Sequence, residues 1–177
     1  MHNMSHALTA YFGALRGYTY IWEAIQDSDI KELASEALKE SSRALNLEYG
    51  VEMQELEDFS NNLIERFENK LLGDTIERVG KDTKRKLSIN DRFVGVALLC
   101  QKQGTLPKHI LAGLSAGLHF AKEGDDASIE VSTFARECGV KEALEKYCGI
   151  SPTSTVAEIV EDYYDKIKNN IALSELV

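Results

Sequence analysis

Residues 65–92 read ERFENKLLGDTIERVGKDTKRKLSINDR. This stretch holds Arg66, Lys70, Arg78, Lys81, Lys84, Arg85, Lys86 and Arg92 against Glu65, Glu68, Asp74, Glu77, Asp82 and Asp91, in a chain whose formal charge is −9. Like charges crowded into one segment are unfavourable unless an anion or nearby carboxylates neutralise them, and guanidinium forks suit oxyanions in particular. A small phosphate or carboxylate is therefore the expected ligand. Locally, Gly73 ends an incoming helix, and Asp74 or Thr75 can accept the free N–H groups of a short helix over Ile76–Val79 that Gly80 closes. Residues 81–87 keep no period and read as a loop presenting Lys81, Lys84, Arg85 and Lys86. Ser88-Ile89-Asn90-Asp91 has the form of a capping box. The helix it opens, Phe93 to Gln101, is apolar nearly all round, which predicts one of the most buried elements, Leu98 included.

Outward from this stretch the chain reads as helices throughout, which makes the fold class all-α. Leu8, Phe12, Leu15, Tyr18, Ile21, Trp22 and Ile25 recur at helical spacing, predicting one helix from Ser5 to about Ile25. Asn3 and His6 share a face with Ala10, Gly13 and Gly17, either an ordinary helix contact or the wall of a ligand site. A second helix starts after Asp27-Ser28 and buries Ile30, Leu33, Ala34, Ala37, Leu38, Ala44 and Leu45, while Glu32, Glu36 and Glu40 read as its solvated side. Met53, Leu56, Phe59, Leu63, Ile64 and Phe67 continue the period into the basic stretch. Beyond Gly104, Thr105-Leu106-Pro107 opens a helix whose Ala112, Gly113, Ala116 and Gly117 let a neighbour approach, the preceding helix by expectation. Three more helices, near 127–138, 141–147 and 156–167, complete the chain. His109 and His119 have no carboxylate or cysteine at ligand spacing and read as packing residues.

Length and composition bound the function. With 177 residues, 44% hydrophobic and 28% charged, the chain reads as one ordinary globular domain, 1–177. An acidic protein with a single basic island does not fit a nucleic-acid surface. The N-terminus has no signal-like basic and apolar regions, and no apolar run is long enough for a membrane span, so a cytoplasmic location is expected. Cys100, Cys138 and Cys148 lack the spacing of a zinc site or disulfide framework, and no metal is expected. There is no glycine-rich phosphate loop after a strand and no nucleophile triad.

Two motifs carry a resemblance. The opening NMSHALTAYFGALRGY resembles the segment of the polyol-specific long-chain dehydrogenases that reads Asn, two residues, His-Ala, then Ala-Tyr-x-Gly. Residues 66–92 resemble that family's RFxNPxxxDTxERVGRDPxRKLSxxDR, and Ala112–Phe120 fits its AGLHF-like helix. The match extends over the whole chain. It is nearest to the helical C-terminal substrate domain of the branch acting on mannitol 1-phosphate. The resemblance implies NAD-dependent oxidation to fructose 6-phosphate, with Asn3 and His6 holding the reacting hydroxyl and Arg78, Lys81, Arg85 and Lys86 binding substrate. It also implies a general-base lysine five residues before Asn3 and an N-terminal Rossmann domain that holds NAD, both upstream of Met1, so the chain alone is expected to be inactive.

Departures from the family pattern fall in the basic stretch and just after it. Lys70 replaces a proline, Thr83 and Lys84 stand where a proline and a leucine-like residue are usual, Lys81 replaces arginine, and Val96 replaces a proline. A stand-alone helical anion-binding or interaction module is the alternative from another class. A fructuronate- or tagaturonate-reducing relative, with a carboxylate for the anion, is the alternative within the family.

Overall fold

The computed structural model describes all residues 1–177, and it is all-α. The elements are α1 (His2–Leu15), α2 (Ile21–Ala24), α3 (Ser28–Tyr49), α4 (Met53–Glu68), α5 (Ile76–Gly80), α6 (Thr83–Lys86), α7 (Val94–Lys102), α8 (Lys108–His119), α9 (Asp126–Cys138), α10 (Val140–Ala143) and α11 (Thr155–Lys168). Short 3-10 turns lie at Lys70–Leu72 and Leu173–Glu175, and α10 runs on into a π-helical turn, Leu144–Cys148. The only β pairing is an isolated antiparallel bridge between Tyr20 and Thr75.

Helix α8 is the centre. Every residue from Ile110 to Leu118 is buried, and α1, α3, α7, α9 and α11 all pack against it. Such enclosure requires close approach, and two glycines on α8 allow it. A Cβ on Gly113 would lie 2.7 Å from Phe93 and 2.9 Å from Leu8, and one on Gly117 would lie 2.9 Å from Leu87 and Tyr11. The approaching helix is thus chiefly α1, which supplies Leu8 and Tyr11, and not α7 as the order of the chain suggested.

Helix α7 itself departs from expectation. Only Val94, Ala97 and Cys100 are buried, and Leu98 is 46% exposed. An apolar circumference does not enclose a helix; here α7 lies at the margin, with Leu98 beside Ile89, Ile150 and Val156 in a shallow groove. The helix also begins later than its capping-box pattern implied, because Ser88 donates backward to the Arg85 carbonyl. Between 15 and 21 the expected single helix breaks where Gly17 takes φ +76° and the Tyr20–Thr75 bridge claims the backbone. Gly13 meets Ile76 and Ala24 of the neighbouring helices, so the small-residue face of α1 is a helix contact at that position.

Glu40 is the clearest correction to the pattern of solvated carboxylates. It is buried, and its two oxygens accept the backbone N–H groups of His109 and Ile110, each at 3.0 Å. Oε1 also meets His109 Nδ1 at 2.8 Å. The first turn of a buried helix has N–H groups that no water can reach, and a carboxylate from α3 satisfies them while favouring the positive end of the dipole. Glu40→Ala strands both donors, so a urea titration should show a loss of about 2–4 kcal/mol, whereas Glu36→Ala on the exposed side should change stability by less than about 0.5 kcal/mol.

Candidate functional site

The first turns of α1 carry Asn3 and His6, and the basic stretch wraps around them. His6 stacks on Phe67 of α4 with ring centroids 4.9 Å apart, and on His2 at 5.4 Å. Thr75 caps α5 by accepting the Arg78 N–H, which sets the preceding Asp74 beside α1. Asp74 Oδ2 lies 3.2 Å from His6 Nε2, while its Oδ1 pairs with the Arg78 guanidinium. The Asp74 carbonyl accepts the Ile21 N–H at 2.9 Å, so the segment is pinned from both sides.

His6 is neutral in this setting. Its imidazole is only 16% exposed, and burial, followed by the charges of His2, Arg78, Arg66 and Lys86, pushes its pKa down to about 3. Asp74, already engaged by Arg78, does not reverse the shift. The Nε2–Asp74 approach is not aligned as a hydrogen bond, and Nε2 is one of two buried polar side-chain atoms without a hydrogen-bond partner. His2 is shifted in the same direction by burial, Arg66, the N-terminal amine and Arg92.

The remaining expected site residues separate into different settings. Lys81 is exposed. Residues 83–86 form a helical turn, not the loop the missing period implied, because Asp82 adopts a left-handed φ of 64° and starts a new helix. That turn carries Lys86 inward, where it is 5% exposed and donates to the carbonyls of Val79 and Lys81. Burial, with Arg92 and Arg85 nearby, pushes its pKa down to about 8. Arg85 stays outside, donating to Asp82 at 2.6 Å and Asp91 at 3.1 Å.

Two spaces adjoin these residues. His6, Trp22, Arg66, Phe67 and Asp74 enclose a crevice of about 30 Å³, too small for a ligand, whereas Asn3 opens onto a cavity of about 620 Å³ shared with Arg85, Asn90, Asp91 and Arg92. His2 lines both. Small-molecule sites typically measure about 300–1,000 Å³. His2, Phe67, Asp74 and Arg92 were not singled out as site residues by sequence reasoning. Phe67, Asp74 and Arg92 lay in the quoted basic stretch and at family motif positions, and His2 carried no signal. The rim near the crevice is apolar, with Leu71 94% exposed and Leu72 44% exposed. No group of three or more His, Cys, Asp or Glu residues is placed to hold a metal, and no helix is long and apolar enough to cross a membrane.

The His6 shift has a testable sign. Its folded pKa lies below the unfolded value, so the unfolded state binds more protons between about pH 3 and 6.5, and stability falls as pH drops through that window. The contribution amounts to a few kcal/mol at most. His6→Phe keeps the ring stack and removes the titration, so urea midpoints measured at pH 7 and pH 4 should lie closer together in the variant than in the parent.

Comparison with known proteins gives a consistent answer. Residues 1–175 match the family model described as the mannitol dehydrogenase C-terminal domain. The mannitol-1-phosphate 5-dehydrogenase of Caldanaerobacter subterraneus subsp. tengcongensis is 37% identical over 169 residues, 96% of this chain and 44% of that protein. The enzyme of the same name from Thermoanaerobacter pseudethanolicus is 37% identical over 94% of this chain and 43% of its own length, and that from Clostridium acetobutylicum is 33% identical over the same shares. The chain thus spans less than half the length of these curated relatives. Given this end-to-end match and an all-helical fold, the chain belongs to the mannitol dehydrogenase C-terminal domain family.

Proposed function

We propose that residues 1–177 form one substrate-binding domain of an NAD-dependent mannitol-1-phosphate 5-dehydrogenase, which converts mannitol 1-phosphate to fructose 6-phosphate. The observation that carries this reading is the neutral, enclosed His6 with an unpartnered Nε2, one helical turn from Asn3 and surrounded by Arg66, Arg78 and Lys86. A neutral imidazole and a carboxamide can orient a hydroxyl or carbonyl for proton and hydride transfer without adding charge at the reacting carbon. The names of the relatives matched over nearly the whole chain support the same substrate.

Three of the four expected substrate-binding residues have a definite part in this reading. Arg78 holds Asp74 against His6, and its exposed guanidinium retains donors for substrate hydroxyls. Lys81 offers an exposed point charge. Lys86, with its ammonium committed to two carbonyls, supports the site from beneath and contributes field more than contact. The all-helical fold has no parallel sheet to receive a dinucleotide, so these residues do not fit NAD. In this reading bound NAD and the general-base lysine belong to a separate N-terminal Rossmann domain of a cytoplasmic enzyme. The exposed Leu71 and Leu72 beside the crevice suit such a domain contact.

The division of labour gives a direct test. In calorimetry the 177-residue chain should bind mannitol 1-phosphate more tightly than tagaturonate or fructuronate, and His6→Ala should weaken binding about 5- to 10-fold, the loss of one hydrogen bond. Supplied with NAD and mannitol 1-phosphate, the chain alone should show no NADH absorbance. Tighter binding of the uronates would move the chain to the uronate-reducing branch, and turnover would refute the need for a second domain.

A further inference from the structure

We propose that the cavity between the first turn of α1 and residues 85–96 is the subsite for the substrate's phosphate monoester, with Arg92 and Arg85 as its cationic arms. The proposal rests on the sugar-phosphate reading above and extends it to residues that reading left unassigned. The cavity is lined by His2, Asn3, Arg85, Asn90, Asp91 and Arg92, with Gly95 leaving its far wall free of a side chain. Arg78, Lys81 and Lys86 do not line it.

Arg92 is built into place. Its side chain is 16% exposed, its Nε donates to Asp91 Oδ1 at 2.8 Å, and its Nη1 reaches the Asn3 carbonyl at 3.4 Å. The Nη2 group donates to no protein acceptor. Arg85 is held in the same way, by Asp82 through Nε and by Asp91 through Nη1, and its Nη2 is also unused. Guanidinium groups fixed by carboxylates before binding lose little side-chain freedom when a phosphate arrives, and they present planar donors suited to its oxygens. Asp91 is the one carboxylate in the lining. It faces both arginines and also accepts the Arg92 N–H; with Asp82 on Arg85 the two guanidiniums meet two carboxylates, so what draws a phosphate is their unused Nη2 donors and not net charge. Burial opposes ionisation of Asp91, yet the hydrogen bonds from Arg92 and the charges of Arg92 and Arg85 hold its carboxyl below the usual range.

Asn3 and His6 are one turn apart, about 4.5 Å along the helix axis. A phosphate held by Arg92 lies at the Asn3 carbonyl, so the polyol it carries starts beside the first turn of α1. An unphosphorylated polyol would lack this anchor.

The test is an amide-resonance titration of the 177-residue chain with inorganic phosphate, mannitol 1-phosphate, mannitol and NAD in separate arms. Phosphate and mannitol 1-phosphate should shift Asn90, Arg92 and Gly95, and mannitol 1-phosphate should also shift His6. Arg92→Gln should lower mannitol 1-phosphate affinity about 10- to 100-fold. Arg85→Gln, at an exposed position, should lower it several-fold, and it keeps the test decisive if the Arg92 variant does not fold. Loss of affinity in Arg78→Gln but in neither of these variants overturns the subsite, as does NAD shifting the cavity at lower concentration than mannitol 1-phosphate. If mannitol 1-phosphate shifts His6 and Asn3 but ignores Arg92 and Arg85, the subsite falls and the proposed function stands. If inorganic phosphate binds in an Arg92-dependent way while mannitol 1-phosphate leaves His6 unmoved, the subsite stands and the proposed function falls.

Discussion

Burial of α8 from end to end is the constraint on which the rest of the structure depends. A helix enclosed by five neighbours can neither hydrate its first turn nor accommodate bulky side chains at its crossings. The chain meets the first requirement with Glu40 from α3 and the second with Gly113 and Gly117 facing Leu8, Phe93, Tyr11 and Leu87. Those contacts fix the depth and rotation of α1. Since Asn3 and His6 lie on the first turns of α1, the geometry of the site is set by packing more than 100 residues away in the chain.

The basic stretch shows how one segment can serve both stability and recognition. Most of its cations find partners within the fold: Arg78 with Asp74, Lys84 with Glu130, Arg85 with Asp82 and Asp91, Arg92 with Asp91, and Lys86 with two carbonyls. Lys70 lies 4.3 Å from the Trp22 ring centroid. Exposed pairs of this kind contribute little to stability individually. Their stronger effect is on orientation, since each carboxylate fixes a cation that would otherwise sample many rotamers. The field that remains is positive enough to act on His2 and His6.

The helical class, most element positions and the capping roles of Asp27 and Thr75 were legible because they depend on local periodicity and local hydrogen bonds. Burial was less legible. The apolar circumference of α7 could not reveal that Leu98 faces outward, because burial depends on what packs around a helix as well as on its own residues. Glu40 shows the same limit in reverse: its spacing matches solvated neighbours, and its partner is a helix start roughly 70 residues later. For the site, the family motifs identified Asn3, His6 and Arg78 as candidates, but no pattern in one dimension distinguishes an inward Lys86 from an outward Arg85. A single left-handed residue, Asp82, starts the helical turn that separates them.

The two buried polar side-chain atoms without hydrogen-bond partners are His6 Nε2 and Tyr11 Oη, and both belong to α1. Each faces the basic stretch: His6 feels Arg78 and Lys86, and Tyr11 feels Arg92, Asp82 and Asp91. Leaving a buried donor or acceptor unsatisfied costs about 1–3 kcal/mol. A phenylalanine at position 6 would stack on Phe67 and His2 with no such penalty, and one at position 11 would fill the same space against Gly117. Packing therefore explains the rings but not their polar atoms. Folds that retain such a cost usually do so where the polar atom meets a ligand or supports one that does. In this chain both atoms lie on α1, the helix that also carries Asn3.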